Sequence, residues 1–223
     1  MGLFDKKYCD FCGKKIGVLG NKKLEDGNMC KDCASKLSPW FSERRHSTKA
    51  EIGAQLAYRE ENRAAVAAFE PTRVIGKYYK LMLDEPARKF LVTNASDLNA
   101  ANPDVLDFAQ LRGCDLDIDE HRDEIKTTDS SGNSVSYNPP RFEYSYNFRV
   151  RLYVDHPFFE EIAYSLSNGY LKTGEAAMTA AGGTWRVNRP ALGQRKQNEY
   201  YEYLSMGEEI REVVERMYAA GER

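Results

Sequence analysis

Hydrophobic and polar positions alternate most strictly over residues 142–154. Phe142, Tyr144, Tyr146, Phe148, Val150, Leu152 and Val154 share one parity; Arg141, Glu143, Ser145, Asn147, Arg149 and Arg151 share the other. Successive side chains of a strand point to opposite faces, so this run predicts a strand buried on one face and solvated on the other, as in an antiparallel sheet. A period of two also places Tyr79, Leu81 and Leu83 opposite Tyr78, Lys80 and Met82. Asp84-Glu85-Pro86-Ala87-Arg88 then predicts a turn, and Lys89 to Thr93 a returning strand. Asn94 to Asn102 reads as a polar loop, and Pro103-Asp104 as the start of a helical turn through Phe108. Further strands are predicted from Leu111 to about Asp119 and from Glu161 to Leu166, the latter after Asp155-His156-Pro157 breaks the long strand.

Elsewhere the period lengthens to that of a helix. Thr48 and Glu51 have the spacing of a capping box, in which hydroxyl and carboxylate satisfy free amides at a helix start. The helix predicted from there through Ala68 carries only a thin stripe of Ile52, Leu56, Arg59, Arg63 and Val66, as expected of a connecting helix lying on something larger. Phe69-Glu70-Pro71 stops it. A second helix is predicted from Gln197 to Ala219, with Tyr203, Met206, Ile210, Val213 and Met217 in one stripe suited to cover the open face of the sheet. Residues 167–196 have neither period and predict an irregular insertion.

The first forty residues lack enough apolar periodicity for a core, and cysteines take its place. Cys9, Cys12, Cys30 and Cys33 form two Cys-x-x-Cys pairs seventeen residues apart. Each pair can turn both sulfurs to one point, and two pairs complete the tetrahedron that Zn²⁺ prefers. Gly13 follows Cys12, where the chain must bend with φ often positive. Between the pairs, Ile16 to Leu19 and Lys22 to Leu24 are expected to form a hairpin closing at Gly20-Asn21. A short helix is expected from Ala34 to Leu37, ended by Ser38-Pro39; Trp40 and Phe41 follow as an apolar pair suited to packing. Two disulfides are the alternative use of these cysteines. The opening Met1-Gly2-Leu3-Phe4-Asp5-Lys6-Lys7 has no apolar export segment, so the thiols are expected to stay reduced in the cytoplasm and hold one zinc. A four-sulfur site has no open position for water or substrate, which makes it structural.

Composition changes this picture little. A net charge of −2 gives no global pull toward nucleic acid, and no apolar run is long enough to span a membrane. Charge is unevenly placed: residues 1–40 carry eight lysines against five acids, whereas 197–223 carry three arginines against seven glutamates. Lys14, Lys15, Lys22 and Lys23 lie beside the expected hairpin near Tyr8 and Phe11. Lysines interleaved with aromatics can bind nucleic acid. They also cover the surface of any ribbon too small to have a core.

Other candidate chemistry is weak. Asp115, Asp117 and Asp119 alternate on one strand face and could hold a hard cation, but a calcium loop needs glycine where Glu120 stands and glutamate where Lys126 stands. A solvated strand face that discourages edge pairing explains them as well. His46, His121 and His156 fall in a polar linker, an acidic turn and before a proline, with no nucleophile motif alongside. Gly182-Gly183-Thr184 lacks the lysine of a phosphate loop. Cys114 stands alone in a strand and is expected to be a small buried hydrophobe.

Cys9-Asp10-Phe11-Cys12-Gly13, Cys30-Lys31-Asp32-Cys33, Leu56-Ala57-Tyr58-Arg59-Glu60-Glu61-Asn62 and His156-Pro157-Phe158-Phe159 with Glu161-Ile162 carry a resemblance. The chain resembles a bacterial family of unknown function with an N-terminal zinc ribbon, and its sheet followed by one helix resembles a pleckstrin-homology-like domain. The resemblance implies a cytoplasmic, non-enzymatic protein. The expected fold is α+β: a zinc ribbon over 1–41, a linker and connecting helix over 42–70, and over 71–223 an antiparallel pleckstrin-homology-like sheet closed by a C-terminal helix. The expected function is binding or adaptation toward a protein partner, with nucleic-acid binding through Lys14, Lys15, Lys22 and Lys23 as the alternative and a lipid headgroup suggested by fold analogy alone.

Overall fold

Short ladders around turns open the chain. In the computed structural model, which describes residues 7–17, 19–181, 184–188 and 194–221, β1 (Lys7–Tyr8) pairs with β2 (Lys15–Ile16), and β3 (Lys22–Lys23) with β4 (Asn28–Met29). The hairpin expected between Ile16 and Leu24 is therefore replaced by two, each beside one cysteine pair. The cause is local: Cys9 N–H donates to the Lys14 carbonyl and Gly13 N–H to that of Cys9, while Leu24 N–H donates to Gly27. These bonds fold the chain back sooner than Gly20-Asn21 could. α1 (Lys31–Ala34), capped by Cys30, starts three residues earlier than expected.

The segment 42–47 is a 3₁₀ turn over Glu43–His46 rather than a free linker. Arg44 Nη1 donates to the Lys23 carbonyl at 2.7 Å, and Ser47 is buried. α2 (Lys49–Ala68) follows with the expected capping box: Thr48 N–H donates to Glu51 at 2.7 Å, and Thr48 Oγ1 accepts from Glu51 N–H at 3.3 Å. Its buried residues are Ile52, Gln55, Arg59, Asn62 and Val66. Arg63, expected in that stripe, is exposed.

The sheet region is mixed with helix, and its strands run antiparallel in two sheets rather than one. β5 (Arg73–Ile75), β6 (Lys80–Asp84), β7 (Lys89–Thr93) and β8 (Val105–Asp107) form a four-stranded meander. α3 (Leu98–Ala101) lies between β7 and β8. The helical turn expected over 103–108 is thus mostly strand: Leu91 pairs with Val105, and Leu106 is fully buried. A 3₁₀ turn over Phe108–Gln110 then redirects the chain into the second sheet.

β10 (Ser134–His156) organises that sheet. β9 (Leu111–Thr128) pairs along one edge, while β11 (Phe159–Ser165) and β12 (Leu171–Ala181) share the other; β13 (Thr184–Asn188) pairs with β12. Residues 167–196 are therefore not an irregular insertion, since β11 leaves half of β10's edge open for β12. Nor is 120–124 an acidic turn. It lies within β9, whose reversal comes at Asp129, where the carboxylate accepts from Ser131 and Asn133 N–H and Gly132 takes φ 85°.

α4 (Gln194–Gly221) packs Ile210, Val213, Val214 and Met217 into one core with Leu81, Phe90 and Leu106 of the first sheet and Phe148, Leu152 and Ile162 of the second. Tyr203 and Met206 of the expected stripe are only half-buried, and Val214 joins it. The helix approaches β9 so closely that a Cβ on Gly207 would meet Leu116 Cδ1 at 2.5 Å.

Candidate metal centre

Both ladders and α1 aim sulfur at one point. The four Sγ atoms of Cys9, Cys12, Cys30 and Cys33 all lie within 4.8 Å of one another. Cys12 Sγ stands 3.7 Å from Cys30 Sγ, far beyond disulfide length and close to the roughly 3.8 Å edge that Zn–S bonds of about 2.3 Å impose on a tetrahedron. Gly13 takes φ 67°, as the bend after the first pair requires. On the second side, Cys33 N–H donates to Cys30 Sγ at 3.4 Å, which anchors that sulfur to the start of α1. Asp10 accepts the Asn28 N–H at 2.6 Å and so ties the two hairpins together.

Electrostatics favours a cation here. Burial works against a charged Cys9, but N–H groups of Cys30, Phe11 and Cys12 bring its thiol down to about 6. Burial and the neighbouring thiols push Cys33 up. Four sulfurs this close cannot all ionise without a positive ion among them. The residues therefore fit Zn²⁺. Cys9, Cys30 and Cys33 are buried and Cys12 is exposed. Beneath it, Ile16, Leu24, Met29, Leu37 and Ile52 form a small buried apolar cluster, with Phe11, Ala34, Phe41 and Leu56 packed against it.

The other predicted residues do not converge there. Lys14, Lys15, Lys22 and Lys23 are exposed and divided between the two hairpins. Asp117 pairs with Arg151 of the neighbouring strand at 2.7 Å, and Asp115 accepts from the Tyr153 hydroxyl at 2.7 Å. Those carboxylates thus have cross-strand partners. His46 and His121 are exposed. His156 is buried: Phe158 N–H reaches its Nδ1 at 3.4 Å, its ring stacks on Phe159 at 4.1 Å, and burial lowers its pKa against the pull of Asp104. Burial pushes Cys114 up to about 12, which leaves it a poor nucleophile.

A buried polar junction was missed in the sequence. Arg59 Nη1 meets Asp104 Oδ1 at 2.7 Å, and Ser38 Oγ donates to the other oxygen of Asp104 at 2.7 Å. Arg59 also donates to the Asn102 and Lys36 carbonyls, and Asn62 to Asn102 and Pro103. The ribbon, α2 and the loop before β8 therefore share one carboxylate. Trp40 and Phe41 add to the joint, the first packing on the sheet core and the second on the ribbon.

Residues 7–55 match the family model of a domain of unknown function (DUF4428). Comparison with curated proteins found no match, nor did comparison with solved structures. The matched stretch holds all four clustered cysteines and the first turns of α2.

Proposed function

We propose that the protein is a non-enzymatic binding or adaptor protein, with one contact surface on a structural zinc ribbon and another on the sheet-helix unit. The carrying observation is the set of four converging sulfurs. Cys9, Cys12, Cys30 and Cys33 would saturate one tetrahedral Zn²⁺, so the ion would hold the chain and leave no position for substrate. Thiolates need a reducing compartment, and the bacterial cytoplasm is the proposed setting. A four-strand meander, then β9 to β11, and a terminal α4 support a pleckstrin-homology-like plan for residues 71–223, to which β12 and β13 are added before the helix. The test has two steps. Metal analysis should find one zinc per chain. Capture from the native cell with intact protein and with Cys30→Ser should then recover a partner that only the metal-bearing chain retains. Equal capture by both removes the ribbon from the interface, and catalytic turnover by the purified protein removes the non-enzymatic reading.

A second reading, nucleic-acid binding by the ribbon, has one observation in its favour. A groove of about 340 Å³ is lined by Lys22, Lys31 and Arg44 with Ser35, Ser42 and Phe41, and by no carboxylate among the described residues. Cations for phosphate beside an aromatic ring suit a single strand. Lys14 and Lys15 lie outside this groove, so Lys22→Glu with Lys31→Glu should weaken binding of a labelled oligonucleotide more than Lys14→Glu with Lys15→Glu does.

A further inference from the structure

The turn between β5 and β6 and the loop between β11 and β12 flank a pocket of about 410 Å³. Tyr78, Tyr79 and Tyr164 give it aromatic walls, and Arg149, Ser165 and Asn168 give it polar ones. The rings are held before any ligand arrives. Tyr79 touches both the buried Tyr164 and Trp40, at 5.9 and 6.2 Å between ring centroids. Tyr78 stands on Tyr79 at 5.4 Å with the two planes 87° apart, and it remains 38% exposed. Two perpendicular rings make a corner. On the other side, the Ser167 hydroxyl donates to the Gly169 carbonyl at 2.7 Å and Gly169 N–H to the Ser167 carbonyl at 3.1 Å, which sets the loop that carries Asn168.

The polar groups narrow the choice of ligand. Arg149 carries a permanent positive charge and can only donate hydrogen bonds. It would repel an ammonium group, so the aromatic walls do not make a cage for a methylated amine. No carboxylate lines the pocket among the described residues. A sugar, whose hydroxyls all donate, would find no charged acceptor there. The lining suits a partner that presents carbonyls and apolar rings and has no N–H of its own to satisfy. Proline in a polyproline II segment has those properties: its carbonyls make no internal hydrogen bonds and its nitrogen carries no proton.

We infer that this pocket docks a proline-rich segment of a partner protein in the polyproline II conformation. Proline rings pack in the corner of Tyr78 and Tyr79, while Arg149, Asn168 and Ser165 donate to the segment's carbonyls. Such segments are already extended before binding, and rings already fixed lose little further freedom. The inference rests on the binding reading above and names the partner of the sheet-helix contact.

The test uses the full zinc-loaded chain and a capped decaproline, titrated by calorimetry. Saturable binding is expected, nearly unchanged between low and high salt because the peptide carries no charge. Tyr78→Ala should weaken it about tenfold or more, the loss of one packed ring. Tyr78→Phe keeps the ring and should stay within about threefold of the wild type. Arg149→Ala, on a different element, should also weaken binding, and unchanged melting temperatures will show that the variants fold. A capped glycine-serine peptide of equal length should not bind. Equal binding of that peptide, indifference to both alanine substitutions, or no saturation by decaproline overturns the inference. Tighter binding of maltohexaose overturns it in favour of a saccharide site. A chain that ignores decaproline yet still recovers a partner through the ribbon would overturn this inference alone and leave the adaptor reading standing.

Discussion

The ribbon and the sheet-helix unit hold their chains by different means. Four two-residue strands and a one-turn helix frame the ribbon, over a buried cluster in which three of the members are cysteines. Ladders that short fix few residues, and the apolar patch beneath them is slight. The sheet-helix unit instead packs two sheets and α4 around one continuous core, with Leu81, Phe90, Phe148, Leu152, Ile162 and Ile210 fully buried. The difference locates the weak point of each half. The ribbon should fail when its ion is removed, and the sheets when their apolar cover is removed.

Metal removal should give the largest effect, because structural zinc contributes about 10–16 kcal/mol in comparable small modules. Chelation, or Cys30→Ser, should collapse the amide signals of residues 7–41 in an NMR spectrum while the sheet unit keeps a cooperative melt. Melting of both halves at one lowered temperature would show a single cooperative unit and break the comparison.

Truncation before Gln194 tests the other half. Ile210, Val213, Val214 and Met217 are each at most 5% exposed. Burial of such side chains contributes roughly 1.5–3 kcal/mol each, so about 6–12 kcal/mol is at stake against a usual margin of about 5–15. The truncated chain should be insoluble or molten yet still carry one equivalent of zinc. A soluble truncate with a sharp melt would show that α4 is not a necessary cover.

The same contrast explains what the sequence revealed. Cysteine convergence was legible because each Cys-x-x-Cys fixes two sulfurs by local geometry. The strand over 142–154 and the stripe on α4 were legible because an apolar face imprints a period, although Ser145 and Asn147, on the strand face expected to be solvated, are buried as well. Where both faces are wet, no period forms, so β9 beyond Asp119 and the start of β10 were missed. β12 left no mark in a run of glycine, alanine and threonine, since the open edge of β10 defines it. Arg59 was read as part of a weak stripe because its partner Asp104 lies 45 residues away. Charge pairing across that distance leaves no local pattern.

That pair decides how independent the two halves are. Asp104 is fully buried between Arg59 of α2 and Ser38 of the ribbon. Asp104→Ala would leave a buried guanidinium unpaired, at a cost of about 3–5 kcal/mol. Trypsin should then cut faster at Arg44 and Arg45, and thermal denaturation should show the ribbon and sheets separating. Arg59→Met combined with Asp104→Leu should restore part of the loss, because no charge is then stranded. An Asp104→Ala protein that melts and digests like the wild type would show that the joint is held elsewhere.

The smallest expected effect is a pH dependence at His156, on the sheet side of the same joint. Its ring lies 4.8 Å from that of Tyr58 on α2 and 4.1 Å from Phe159, and burial lowers its pKa below the ordinary value of about 6.5. Nearby Asp104 opposes that shift without cancelling it. The unfolded chain therefore binds a proton that the folded chain resists. Above about pH 6.5 both states are neutral at this residue and nothing is lost; below it, stability falls until the folded histidine also titrates. One such proton limits the slope to about 1.4 kcal/mol per pH unit. His156→Phe keeps a ring against Phe159 and removes the titration. The difference in melting temperature between wild type and His156→Phe should thus change between pH 7.5 and pH 5.5, with the wild type losing more. Subtracting the variant cancels carboxylates and zinc ligands that titrate in both proteins. A difference that stays constant across this range would place the proton-sensitive part of the joint away from His156.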